Sequence, residues 1–549
     1  AILNYNTGKT NWYGSANYIN GRNGVHWTQD FVYKDGNGLP TAYQQVLAHP
    51  EEMFDKYNLR TGVDHTFNDH NSGGASMTGA YYTNQMTSPI EQTTLLPDGT
   101  TNYSLRQTDE HSIRRNTTAN AWWRHSFDNH STLDVNSDYL YNGKILFQVL
   151  ETSGWQNNQP LPNQLVLRSR VPTEIAVASL RADYATTIGG TKVEAGARYS
   201  HTTIDNAPDF EVLMASQWQA DPTRSNQFLY REQLGAAYAS TTRKLNDQWA
   251  AQAGLRAEYA TIKGLQTATG DEFRRDLPAL FPTIYVSHDA DSNNHWELNA
   301  GRRVERPRYS MLNPFNYYTF YNSWQRGNPQ LLPQYSYNAE LKHVYKGHVT
   351  TAASVNHVAK EMAWVQVADP VAQTTYGTYA NFAGSTVGML GITVSAKPRT
   401  WCEMTLHGAA TYAIYHGMMN NEAVSSEGAA WLVWANSQLV LGRGWTADCY
   451  TSYNSAKVAS ALGKDSGVFY SNAGVSKKAF RDTTTVRVAV DDPFFLYRTR
   501  SSTRQADLAS QSLFVSNSRY CTMSVSYNFG QTTARTRRNE RPPDEAKRM

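Results

Sequence analysis

Residues 249–259 read Trp-Ala-Ala-Gln-Ala-Gly-Leu-Arg-Ala-Glu-Tyr. Trp249, Ala251, Ala253, Leu255, Ala257 and Tyr259 occupy alternate positions, and Gln252, Gly254, Arg256 and Glu258 fill the places between them. Successive side chains of a strand point to opposite faces, so this segment reads as a strand with one apolar and one polar face. The same period of two runs through Leu133–Tyr141, Val193–Tyr199 and Cys521–Phe529. In the last, Cys521, Met523, Val525, Tyr527 and Phe529 alternate strictly with Thr522, Ser524, Ser526 and Asn528.

Composition narrows the classes that such strands can serve. The chain has 549 residues, 34 Tyr, 14 Trp and a formal net charge of +3. A mean hydropathy of −0.58 leaves no room for several helical spans of ~20 apolar residues each. The longest apolar runs, such as Ala429–Ala435, are far shorter than that. A near-neutral balance gives no nucleic acid a reason to bind. The cysteines, Cys402, Cys449 and Cys521, fit neither a disulfide framework nor a zinc pattern and read as small hydrophobes in phase with their strands.

Alternation alone fits a sandwich as well as a barrel, and the joints between strands decide. Tight joints fall at Asp69–Ser72, Asp128–Ser131, Gly189–Gly190, Lys244–Asp247, Asp289–Asn293, Lys346–Gly347, Pro398–Thr400, Gly442–Gly444 and Arg481–Asp482. Between them lie long Asn/Gly/Pro-rich stretches, among them 34–55, 85–111, 152–171, 206–229, 307–333, 364–373, 417–425 and 493–516. A long–short–long–short series places every long connection at one end of an up-and-down sheet. That pattern belongs to an outer-membrane β-barrel, which satisfies every backbone group in lipid by closing on itself. A propeller or a string of sandwiches would show a fixed repeat or a blade motif, and neither occurs.

The expected fold class is therefore all-β: a large antiparallel transmembrane β-barrel with about 21 strands in this chain and about 22 in the complete protein. Residues 1–529 form the barrel, and 530–549 a polar, extended periplasmic tail with Pro542-Pro543 and six basic residues. Ala1–Tyr5 is already strand-like and runs downward into the turn at Gly8. An upward first strand is thus expected upstream of it.

A more specific likeness lies at mid-chain. Arg303-Val304-Glu305-Arg306-Pro307, Leu312-Asn313-Pro314-Phe315, Gly327-Asn328-Pro329-Gln330-Leu331-Leu332-Pro333 and Glu340-Leu341 resemble the mid-barrel signature of TonB-dependent receptors. Asp183-Tyr184 through Ser200 is similar to a hairpin of that family, and Tyr527-Asn528-Phe529-Gly530 to its closing strand. The resemblance implies binding of a scarce nutrient at extracellular loops and its import when TonB is engaged. It also implies a signal peptide, a TonB-contacting box and a plug, none of which precedes Ala1 in this sequence. The other reading is a receptor-like barrel acting as scaffold or subunit of a multi-protein outer-membrane complex for secretion, assembly or lipoprotein-lidded uptake.

The candidate substrate-binding residues are Tyr309, Tyr317, Tyr318, Phe320, Tyr321, Trp324, Arg303 and Arg306. Aromatics crowded into one extracellular loop offer flat faces to sugars, peptides or macrocycles. Alternation puts Arg303 and Glu305 on the lumenal face and Arg302 and Arg306 on the opposite one, where they could hold an anion or lipopolysaccharide phosphate. Asp289, Asp291 and Asn293 lack the Gly and Glu of a calcium loop and read as a turn. No metal site, cofactor or catalytic triad is implied, and the chain is not expected to be an enzyme. Expected partners are outer-membrane lipid and lipopolysaccharide, TonB through an N-terminal region not in this sequence, and a surface lipoprotein or other outer-membrane subunits.

Overall fold

The computed structural model describes residues 2–161, 165–320, 323–369, 374–381, 384–419, 422–480, 483–528 and 544–548. Among the described residues, twenty-one strands follow one another around a single wall. They are β1 (Ile2–Asn6), β2 (Thr10–Lys34), β3 (Glu51–Thr66), β4 (Asn71–Leu95), β5 (Thr101–Ser126), β6 (Thr132–Gln156) and β7 (Leu165–Ile188). Next come β8 (Thr191–Asn206), β9 (Phe228–Lys244), β10 (Trp249–Gln266), β11 (Glu272–Asp291), β12 (Asn294–Glu305), β13 (Gln334–Tyr345) and β14 (Val349–Ala359). The wall ends with β15 (Gly384–Arg399), β16 (Cys402–Met419), β17 (Glu422–Gly442), β18 (Trp445–Asn454), β19 (Val468–Ala479), β20 (Thr484–Asp491) and β21 (Tyr520–Tyr527).

Each wall strand pairs antiparallel with the next, from β1 on β2 to β20 on β21. Eight shorter strands in the connections complete a 29-stranded sheet. At the outer mouth the two ends of the wall meet through the last long connection, where Leu508–Ser516 pairs with Val25–Tyr33 of β2. No helix among the described residues is long and apolar enough to cross a membrane.

The alternation sorts the side chains as read. Tyr199, Leu255, Tyr259, Leu280, Leu341, Leu390 and Trp431 project outward and are exposed. A water-soluble protein rarely shows apolar surface on this scale; against hydrocarbon it is the favourable arrangement. The tight joints are turns at the expected places, except that Arg481–Asp482 lies outside the described residues. Gly189–Gly190, Lys346–Gly347 and Arg443–Gly444 all have positive φ at both positions. This is the type I′ geometry whose twist matches the flanking strands.

The long connections differ from expectation. Stretches 85–111 and 152–171 are mostly strand: β4 and β5 stay in register from Asn71–His125 to Leu95–Thr101, and the turn occupies only residues 96–100. Polar residues on both faces hide this outward continuation, because above the lipid neither face needs to be apolar. The lumen differs too. Along β6–β10 its face carries an apolar patch, with Leu140, Ile175, Val177, Ile204, Phe228, Tyr230 and Ile262 in one buried cluster.

Candidate functional site at the outer mouth

Two connections fold inward over that cluster. The chain leaves β12 at Arg306-Pro307 and forms a single helical turn, α1 (Tyr309–Leu312). Tyr309, Leu312 and Leu331 are buried in the apolar cluster, and removing such surface from water at ~25 cal/mol per Å² holds the loop down. The two proline motifs explain the bend. Gly327 N–H donates to the Asn313 carbonyl and Asn328 N–H to that of Met311, both at 2.6 Å. A Cβ on Gly327 would lie 2.6 Å from the Met311 oxygen, so only glycine allows this approach. Arg275 of β11 then clamps the end of the loop, donating to the Leu331 carbonyl at 3.1 Å and to the Gln330 amide oxygen.

Beyond α1 the loop becomes a hairpin, Tyr317–Phe320 with Ser323–Gln325. The connection between β14 and β15 forms a second hairpin, Met362–Asp369 with Thr374–Asn381. Ser323–Gln325 runs parallel to Thr375–Gly377, joining the two hairpins into one four-stranded sheet. Asn381 is the joint: its side chain accepts from Leu332 N–H at 2.8 Å and donates to the carbonyls of Leu332 and Lys360, both at 2.9 Å. Asn328 donates to the Tyr379 carbonyl at 2.9 Å.

This small sheet reaches across the mouth to the opposite wall. Tyr317 Oη donates to Glu110 of β5 at 2.6 Å, and the same carboxylate accepts from Gln148 at 2.7 Å. Burial, with Glu110 second, pushes the Tyr317 hydroxyl above its ordinary range, so it stays a donor. Between sheet and wall lies a cavity of about 420 Å³ bordered by Trp27, Arg106, Glu110, Tyr317, Trp324 and Trp364. Trp324 stacks on Tyr376 with ring centroids 5.8 Å apart, and its buried indole N–H has no acceptor among the described residues. The site is lined by four aromatic rings and carries one cation and one anion, which suits a ligand with ring faces and polar edges.

The expected site residues divide. Tyr317 and Trp324 border the cavity. Tyr309 does not: it packs at 5% exposure beneath the loop, and burial pushes its hydroxyl up to about 12. Backbone pairing places Tyr318 opposite Trp324; the side chains of Tyr318 and Phe320, and all of Tyr321, lie outside the described residues. Arg303 is exposed and lies opposite Ser336. Arg302 takes the outward face as read, its guanidinium 4.4 Å from the Tyr335 ring centroid. Arg306 is a correction. It turns into the lumen and pairs with Glu258 at 2.5 Å, because the strand ends at Glu305 and Pro307 breaks the alternation.

Sequence reading missed Arg106, Glu110 and Trp364. The first two sit inside stretch 85–111, read as loop; both lie on the lumenal phase of β5, two residues to either side of the buried Thr108. Asp289, Asp291 and Asn293 form a turn as expected, with Asp291 accepting from the N–H groups of Asn293 and Asn294 at 2.7 and 3.0 Å. No metal-holding group of His, Cys, Asp and Glu occurs among the described residues.

Wall and mouth together define an outer-membrane β-barrel whose extracellular opening is partly closed by its own loops. The model of the outer membrane protein beta-barrel family matches residues 125–527, and the chain belongs to that family. Among solved structures it is similar to the copper transporter OprC, with 11% identity and a TM-score of 0.56 over 90% of this chain and 83% of that one. It is also similar to the siderophore receptor PiuA from Acinetobacter baumannii, with 10% identity and a TM-score of 0.51 over 90% and 81%. Both are likenesses of fold. No curated protein matches the chain. The protein resides in the outer membrane.

Proposed function

We propose that the chain is the barrel of a TonB-dependent outer-membrane receptor that captures a scarce nutrient at its mouth and imports it. The observation that supports this best is the four-stranded sheet built from two loops, which holds Trp324 and Tyr317 over a cavity facing Arg106 and Glu110. A passive pore gains nothing from closing its mouth with aromatic side chains. A receptor gains a site that binds from dilute solution before anything passes. Candidate ligands are those with flat faces and polar edges, such as sugars, short peptides and macrocyclic chelates.

The test is growth and uptake on such ligands in cells making the barrel, with and without an energised inner membrane. Uptake should stop on de-energising while surface binding persists, and Trp324→Ala should weaken binding about tenfold, or ~1.4 kcal/mol. Uptake that continues unchanged in de-energised cells would sink the TonB part of the reading. Loss of neither binding nor uptake in the Trp324 variant would remove the mouth cavity as the site.

A further inference from the structure

Residues 544–548 form a turn of 3-10 helix against the inner wall, far in sequence from everything they touch. Arg548 donates from its two terminal nitrogens to the two carboxylate oxygens of Glu232, at 2.8 and 3.0 Å. Its Nε donates to the Pro307 carbonyl at 3.0 Å, and the guanidinium lies 4.4 Å from the Tyr309 ring centroid. Tyr230 steadies Glu232 from the other side with a 2.5 Å hydrogen bond. One turn earlier, Glu545 pairs with Arg198 and accepts from Ser200 Oγ at 2.7 Å. Side chains three apart eclipse in a 3-10 helix, so Glu545 and Arg548 reach the wall together. Ala546 packs on the apolar cluster between them, while Lys547 is exposed.

We infer that the lumenal wall carries a guanidinium-binding site formed by Glu232, Pro307 and Tyr309, and that the chain's own Arg548 occupies it as a latch. Each wall group matches a different feature of a guanidinium. The carboxylate takes the planar fork, the carbonyl takes Nε–H, and the ring takes the cationic face. An ammonium is a point charge and cannot fill all three. Glu232 is 2% exposed, so its charge needs a cation at that place. Glu258 nearby is already held by Arg256 and Arg306, both at 2.5 Å. Any solute or segment that fills this part of the lumen must displace the latch.

A nitroxide on Lys547→Cys in the full chain, embedded in lipid vesicles, reads the latch by its mobility. The parent should give mainly the slow, immobilised component. Arg548→Ala and Glu232→Gln should each raise the mobile fraction at least fivefold, and Arg548→Lys should fall between. Because Arg548 lies in the tail, its substitution leaves wall folding intact, and unchanged heat-modifiable gel mobility checks that. A label already mobile in the parent, or one still immobilised in both Arg548→Ala and Glu232→Gln, would overturn the inference. The readout is tail motion rather than uptake, so it stands or falls apart from the import proposal.

Discussion

The arc β6–β10 and the arc β16–β17 share one architecture and treat the lumen in opposite ways. On the first, Ile175, Val177, Ile204, Phe228, Tyr230 and Ile262 point inward and are buried. On the second, the inward face mixes small residues, Thr411, Ala413, Ser426, Gly428 and Ala430, with the rings of His407, Tyr415 and Trp434, paired Thr411–Ala430, Ala413–Gly428 and His407–Trp434 across the ladder. The first arc is covered by α1, Leu331 and Ala546, whereas among the described residues no side chain of the second belongs to a buried apolar cluster. A barrel wall therefore packs its apolar inward residues into a buried cluster where its own loops come down to meet it. The inward face records where the lumen is filled.

The sharpest way to break this contrast is a matched pair of charges. Val177→Asp should leave an unpaired carboxylate in the apolar cluster and cost about 3 kcal/mol or more. It should be seen as a lower unfolding temperature of the folded band on unboiled gels. Ala430→Asp, outside that cluster, should change that temperature little; equal losses at both sites would erase the distinction. Next in size is Asn381→Ala, which removes three hydrogen bonds at the joint of the two loops. At about 1 kcal/mol each, the mouth sheet should loosen and become cleavable by added protease while the wall stays intact.

Gly377→Ala sharpens the comparison within the mouth itself. A Cβ at that place would run into the Trp364 ring, so the ring must swing away from the cavity. Overpacking of this kind costs about 1–3 kcal/mol, expressed here as weaker ligand binding with little change in wall stability. The smallest effect belongs to the turn end. Gly190 has φ +79°, and Gly190→Ala should cost about 1 kcal/mol through backbone strain alone. Its signature is slightly faster amide exchange in β7 and β8, with ligand binding unchanged.

The wall was legible because lipid imposes its period. Trp249–Tyr259 must alternate, and Gly189–Gly190 must turn, whatever the ligand. The mouth was not, since its decisive pairing joins Ser323–Gln325 to Thr375–Gly377 across some fifty residues with no local signal. Motif and geometry did connect at Gly327-Asn328-Pro329, whose role is to let two backbones touch. The tail misled for a physical reason: two charged residues that read as solvated, Glu545 and Arg548, are each matched by a charged wall group. Its only trace in sequence is the spacing of three between Glu545 and Arg548.

The outward continuation of β4, β5 and β6 carries one more consequence. These strands have 25, 26 and 25 residues. At ~3.4 Å per residue and a tilt near 40°, each rises roughly 65 Å, against an apolar band about 25 Å tall. Some 40 Å of stiff ribbon is left standing among the surface polysaccharide, roughly by the same arithmetic. The exposed tip Pro97-Asp98-Gly99 is then among the first parts of the molecule that an antibody or a phage tail fibre meets, well before either could sense what the barrel holds.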